Sequence, residues 1–147
     1  MTEVGDFNRF ESAEKFAGYI GLTPGEQSSG ESEHKTNITK AGNRHLRRLA
    51  VESAWTYMRG CIGQKSAGLK KRQKNMPQEV VTYADKASTR CQRKYNRLTT
   101  KGKNANKAIT AVARELCCFI WGMATSHYDG RVTQPTNNSE LRESDLD

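Results

Sequence analysis

A chain of 147 residues with 24 Lys and Arg against 16 Asp and Glu carries a formal charge of +8, which directs it toward a polyanionic partner without deciding its fold. The length gives room for one domain with a real core and too little for two. No apolar run reaches the roughly 20 residues of a membrane span, the N-terminus lacks the basic-then-apolar order of a secretory signal, and Cys61, Cys91, Cys117 and Cys118 form no CxxC pair and no zinc-finger spacing with histidine.

The exclusions leave a reducing, cytoplasmic setting and nucleic acid as the first partner to consider. The first element follows Phe7 and Phe10: Ser12 is a natural helix cap, Phe16, Ala17 and Ile20 recur at helical spacing, and Gly21 ends the run. Pro24 and the polar residues up to Thr36 break regular structure, so Gln27, Ser28, Ser29, Gly30, Glu31 and Ser32 are expected to form a loop. From Asn43, the positions Leu46, Leu49, Ala50, Ser53, Ala54, Tyr57 and Met58 trace an apolar helix face, with Arg44, Arg47, Arg48 and Arg59 opposite and Gly60 and Gly63 closing it. Residues 64–75 are basic and poor in apolar groups, an exposed connector or a short helix.

Pro77 suits the first turn of a helix. After it, Val80, Ala84, Ala87, Cys91, Lys94 or Tyr95, and Leu98 form one stripe, flanked by Lys86, Arg90, Arg93 and Arg97. Beyond Gly102, the residues Ala108, Ile109, Val112, Ala113, Leu116, Phe119, Ile120 and Met123 mark the most apolar helix, expected at the core. The tail from Asp129 holds five acids against two arginines and little to bury, the composition of disorder. No strand signal and no repeat emerges. The expectation is an all-α, compact bundle of four or five helices over residues 1–128, with a Ser-Gly loop and a disordered acidic C-terminal tail over 129–147.

Residues 44–107 carry 17 of the 24 cations and only Glu52, Glu79 and Asp85 as acids. Within that block Arg44, Arg47 and Arg48 share a helical turn, where guanidinium forks can clamp phosphate oxygens; Lys40, Asn43 and His45 stand beside them. The run Lys70, Lys71, Arg72 and Lys74 has the character of a sequence-blind backbone-tracking patch. Either group also reads as a solvated basic face. Ser28 and Ser29, beside Gly30, are the candidate nucleophiles: a serine hydroxyl that attacks a phosphodiester forms a phosphoserine link and stores the bond energy for rejoining. A Ser-Ser-Gly turn also occurs without any chemistry. His34, His45 and His127 share no ligand spacing, so no metal site is expected. Trp55, Trp121, Tyr57, Tyr95 and Phe119 fall among apolar residues and are expected in the core rather than as base-stacking platforms.

Three blocks, GDFNRFESAEKFAGYIGLTPGEQSSG, ITKAGNRHLRRLAVESAW and TAVARELCCFIWGM, follow in that order. On them the chain closely resembles, over about residues 3–125, the C-terminal transposase domain of the DEDD-type insertion-sequence transposases of the IS-one-ten and IS-eleven-eleven groups, RNA-guided serine recombinases of bacteria and archaea. The resemblance implies that Ser29, the serine of the family's Ser-Gly motif, attacks DNA and becomes joined to it, with Ser28 as the fallback. It further implies an N-terminal RuvC-like domain whose acidic residues bind Mg2+, a structured guide RNA, and an oligomer whose active site combines the serine of one subunit with the acidic cluster of another. That first domain is not in this sequence, so a separate RuvC-like half or full-length transposase subunits are expected in trans, with no membrane partner and a nucleoid-associated location. Glu31 and Glu33 depart from the basic residues that many relatives carry after the Ser-Gly motif, and Lys35 and Lys40 offset them.

The functional expectation is a DNA-binding transposase or recombinase domain that is inactive without its partner. The alternative is a catalytically inactive nucleic-acid-binding remnant, or an inhibitor of transposition. A third reading, a helical assembly domain, requires apolar faces around Leu46 and Phe119 to stay partly exposed.

Overall fold

The structure is a computed structural model that describes residues 3–29 and 32–128, with the backbone alone over 26–29 and 32–36. The acidic tail therefore lies outside the described residues. Five helices, α1 (Ala13–Ile20), α2 (Arg44–Tyr57), α3 (Ala67–Gln73), α4 (Gln78–Thr100) and α5 (Ala105–Ala124), follow a single 3-10 turn at Phe7–Arg9, and one antiparallel hairpin, β1 (Pro24–Ser29) with β2 (Ser32–Ile38), joins α1 to α2. The all-α class expected from the sequence is the class observed, with this hairpin added to it.

Local chemistry explains where most helices begin. The side chains of Ser12, Asn43, Ser66 and Asn104 each accept a hydrogen bond from a backbone N–H of the first turn of α1, α2, α3 and α5, satisfying donors that a helix start leaves without intrahelical partners. Pro77 stands one residue earlier than expected: it occupies the cap position of α4 rather than its first turn. α1 stops at Gly21, whose φ of 80° is open to glycine at little cost. α2 ends at Tyr57, ahead of Gly60 and Gly63. The basic segment after it contains a short helix, α3.

α5 is the axis of the fold, packing against α1, α2 and α4. Ala108, Ile109, Val112, Ala113, Leu116, Cys117, Cys118 and Phe119 are all buried, so this helix is apolar around most of its circumference. α1 contributes Phe16, Ala17 and Ile20, and α2 contributes Ala50 and Ala54. Trp55, Tyr57, Tyr95 and Trp121 pack against this core, and Phe119 lies within it, as expected. Full burial of each large apolar side chain is worth about 1.5–3 kcal/mol.

Three apolar expectations fail. Leu49, Ile120 and Met123 are exposed, because each lies about one position beyond the stripe that its helix turns inward. Residues the periodicity passed over are buried instead: Tyr83, packed edge-on against Phe119 and Tyr128, together with Gln92 and Glu115. Gln92 donates from Nε2 to the carbonyls of Tyr57 (2.9 Å) and Gly60 (3.4 Å), which fastens α4 to the end of α2. Of the two faces in the assembly reading, Phe119 itself is buried but Ile120 and Met123 beside it are exposed, and Leu46 is half-buried.

The loop expected at residues 27–32 is also corrected. Ser28 pairs with Glu33 and Ser29 with Ser32 in a backbone ladder that runs back to Pro24 and Ile38, with one extra residue on β2 between Lys35 and Ile38. The ladder is described as far as the Ser29–Ser32 pair, and Gly30 and Glu31 of the expected loop lie outside the described residues. Composition missed the hairpin because neither strand packs along a helix. The strand residues are almost wholly polar and carry no alternating apolar pattern.

All four cysteines are free, Cys61 exposed and the other three buried. Burial pushes the thiols of Cys91 and Cys117 up to about 12 and that of Cys118 to about 11. The folded state therefore holds these protons more tightly than the unfolded chain, whose thiols titrate near 8.5. The stability they contribute is fully present below that value and is lost as pH rises toward 11–12. We expect the melting temperature to fall steadily from about pH 9 upward. Native chain at neutral pH should take up one maleimide, at Cys61; labelling of a second thiol without denaturant would contradict the burial.

Candidate nucleic-acid interface

The hairpin that ends in Ser28 and Ser29 is fixed at its root by a joint built from α1 and α2. The Thr39 N–H donates to the Thr23 carbonyl (2.9 Å) and the Lys40 N–H to that of Gly21 (3.2 Å), extending the ladder past the strands. Lys40 sits at φ 53°, a left-handed conformation unusual for a side-chain-bearing residue. It is held there by Arg47, whose Nη1 donates to the carbonyls of Lys40 (3.2 Å) and Ile20 (3.0 Å). Two glycines complete the joint: a Cβ on Gly21 would meet the Ala41 carbonyl oxygen at 2.5 Å, and one on Gly42, at φ 132°, would overlap the Tyr19 carbonyl oxygen. Asn43 caps α2, its Oδ1 accepting from the N–H groups of His45 (2.9 Å) and Leu46 (3.1 Å), while its Nδ2 donates to Glu3 Oε2 (3.1 Å). The block ITKAGNRHLRR is thus a rigid hinge plate for the hairpin.

The other expected site residues are placed as follows. Arg44 and His45 are exposed on the first turn of α2. Arg48 is exposed and donates from Nε to Glu52 (2.7 Å), which raises its already high pKa through that hydrogen bond and the adjacent charge. Lys70, Lys71 and Arg72 are exposed in the last turn of α3, where the helix dipole favours cations, and Lys74 follows as its C-cap. The side chains of Ser28 and Ser29 lie outside the description. Their strand position is described, and five residues of strand put Ser29 about 17 Å from Pro24. Lys40, Arg44, Arg47 and Arg48 gather at the root of the hairpin, and the serines at its far end.

A stronger basic feature lies on α4, beyond the residues singled out by sequence. A groove of about 760 Å³ is lined by Asp85, Lys86, Thr89, Arg90, Arg93, Lys94, Arg97 and Glu115. Glu115, only 4% exposed, projects from α5, receives a hydrogen bond from Arg90 Nε and is ion-paired with Lys94 Nζ (2.6 Å). Asp85 is neutralised by Lys65 at 2.5 Å and held by Gln73 Nε2 at 3.1 Å, a clasp that ties α3 to α4. The sequence signal was present: Lys86, Arg90, Arg93 and Arg97 recur at helical spacing. The carboxylate that organises them stands on another helix, where spacing cannot reach it.

Among the described residues, no helix is long and apolar enough to cross a membrane. No solved structure matches the chain. Comparison with known sequences is informative. The model of the Transposase IS116/IS110/IS902 family matches residues 1–75. The putative transposase y4qE of Sinorhizobium fredii is 45% identical over 124 residues, which are 84% of this chain and 31% of that protein. The insertion element IS110 uncharacterized 43.6 kDa protein of Streptomyces coelicolor is 28% identical over 90% of this chain and 26% of its own length. The transposase for insertion sequence element IS1111A of Coxiella burnetii is 27% identical over 83% of this chain and 27% of its own. The chain spans less than a third of each of these relatives. It belongs to the transposase IS116/IS110/IS902 family of insertion sequences.

Proposed function

We propose that this chain is the serine-bearing, DNA-binding domain of an insertion-sequence transposase, with Ser29 as the nucleophile. The hydroxyl loses its proton, its oxygen forms a bond to a DNA phosphorus, and one sugar-oxygen bond to that phosphorus breaks, the released sugar hydroxyl taking up a proton. The phosphoserine link conserves the ester bond, so the reverse attack by another sugar hydroxyl rejoins a strand.

The observation that supports this reading most is the hairpin. It carries Ser29 about 17 Å from its root, and among the described residues its strands have no extended packing along a helix, an arrangement suited to reaching into a site formed elsewhere. Arg44 and Arg48 lie at that root, so in this reading they bind flanking backbone rather than the phosphate under attack. The charge that develops there is left to groups supplied in trans, by a RuvC-like half or full-length subunits. Among the described residues, no three of His, Cys, Asp and Glu come together to hold a metal ion. In this reading Mg2+ and the guide RNA are supplied by the complete assembly.

The test is to combine the chain with element-end DNA, Mg2+, guide RNA and a separately expressed RuvC-like half, and to look for a protein–DNA adduct on a denaturing gel. Wild type should give the adduct, and Ser29→Ala should abolish it while binding DNA unchanged. Binding without any adduct from wild type would establish the remnant or inhibitor reading instead.

A further inference from the structure

We propose that the groove along α4 is a second nucleic-acid site, which grips the phosphate backbone of a duplex through Lys86, Arg93 and Arg97 with Arg90 as an oriented fork. This inference rests on the reading that the chain works on nucleic acid, and it is independent of any chemistry at Ser29.

The charge balance selects the ligand. Five cations line the groove against two carboxylates, and both carboxylates are already engaged, Asp85 by Lys65 and Glu115 by Arg90 and Lys94. Lys86, Arg93 and Arg97 are exposed and have no ion-pair or hydrogen-bond partner among the described residues. Such an excess of unpaired positive charge along one face of a helix calls for an anion with repeated charges. From Lys86 to Arg97 the helix rises about 16 Å, over which one duplex strand presents about five phosphates along the axis. Three free cations and one fork can be matched within that length.

Glu115 turns this charged face into a shaped one. Arg90 meets it through Nε, which leaves both terminal nitrogens of the guanidinium for another acceptor. A fork fixed in this way engages two phosphate oxygens with less loss of side-chain freedom than a mobile one. Among the described residues, no aromatic side chain lines the groove, so these residues offer no platform on which an unpaired base would stack. That absence favours a duplex backbone over a single strand.

The experiment measures anisotropy of labelled duplex DNA, duplex RNA of the same sequence and the corresponding single strand, between about 50 and 200 mM salt. The triple variant Lys86→Ala, Arg93→Ala, Arg97→Ala alters only exposed side chains, and circular dichroism verifies its fold. For at least one duplex, the slope of log affinity against log salt should fall by about two to three and affinity by about tenfold or more. The duplex affected identifies the natural ligand as DNA or RNA. A charge-matched variant, Lys101→Ala, Lys103→Ala, Lys107→Ala, should lose clearly less. Equal losses in the two triple variants would reduce the effect to net charge and overturn the proposal, as would unchanged binding in the groove variant or a groove-dependent preference for single strands. Ser29→Ala should bind as wild type does, so failure of the groove and failure of the serine chemistry give separate results.

Discussion

Alanine at Gly42 is expected to destabilise the domain by about 4 kcal/mol, near the upper end of what a single substitution does. Two independent penalties act at this position. The backbone φ of 132° is one that residues with side chains rarely adopt, a strain of about 1–3 kcal/mol. The added Cβ would also overlap the Tyr19 carbonyl oxygen and press on the backbone of Ile20. Neither obstacle is the tip of a flexible side chain, so relief requires α1 and α2 to separate at the joint that Arg47 and Asn43 hold together. For a domain of this size the loss corresponds to a fall in melting temperature of about 15 °C. Gly68→Ala is the control: its Cβ would meet nothing within 4 Å, at a helical position without positive φ, and it should stabilise by about 0.5–1 kcal/mol. A Gly42→Ala chain that melts with wild type would disprove the close approach of α1 and α2.

Glu115→Ala is expected to destabilise by about 2–3 kcal/mol, less than the 3–5 kcal/mol for breaking a fully buried pair. The reduction follows from exposure. The side chains of Arg90 and Lys94 are 45% and 27% exposed, so both cations can recover water once their carboxylate is gone. What remains is the emptied volume between α4 and α5 and the loss of a charge-assisted hydrogen bond from Arg90 and an ion pair with Lys94. If the cost comes from stranded charge, replacing all three groups together by apolar residues, Glu115→Leu with Arg90→Met and Lys94→Met, should restore most of the stability. Urea unfolding measures both. A triple variant weaker than Glu115→Ala alone would show instead that the ion cluster is itself a net source of stability.

The helices were legible because their signals are local. Ser12 caps α1 and Gly21 stops it, and the apolar period of α5 is long enough to survive the errors at Ile120 and Met123. The hairpin was not legible for a physical reason. Its strands are joined by backbone pairing and by the joint at Gly21, Lys40, Gly42 and Arg47, and Ile38 packs against the core. Residues 24–29 and 32–38 are almost wholly polar, so they leave no apolar alternation to read. Glu115 and Gln92 were missed because the partners that make their burial tolerable lie 25 and 35 residues away, and a buried polar group is recognised by its partners. The basic residues of α4 were visible as a row, and their organisation into a groove depended on Glu115 of α5. For Ser28 and Ser29 the motif was readable, and the structure adds their strand register, opposite Glu33 and Ser32.

The most direct test of the account is to identify the residue that becomes joined to DNA. The adduct formed with the complementary RuvC-like half would be digested with nuclease and protease and its peptides sequenced by mass spectrometry. The account predicts a nucleotide phosphate on Ser29, in the peptide that spans the end of β1. A nucleotide found on Ser28 would move the nucleophile by one residue, and one found outside the hairpin would contradict the central claim.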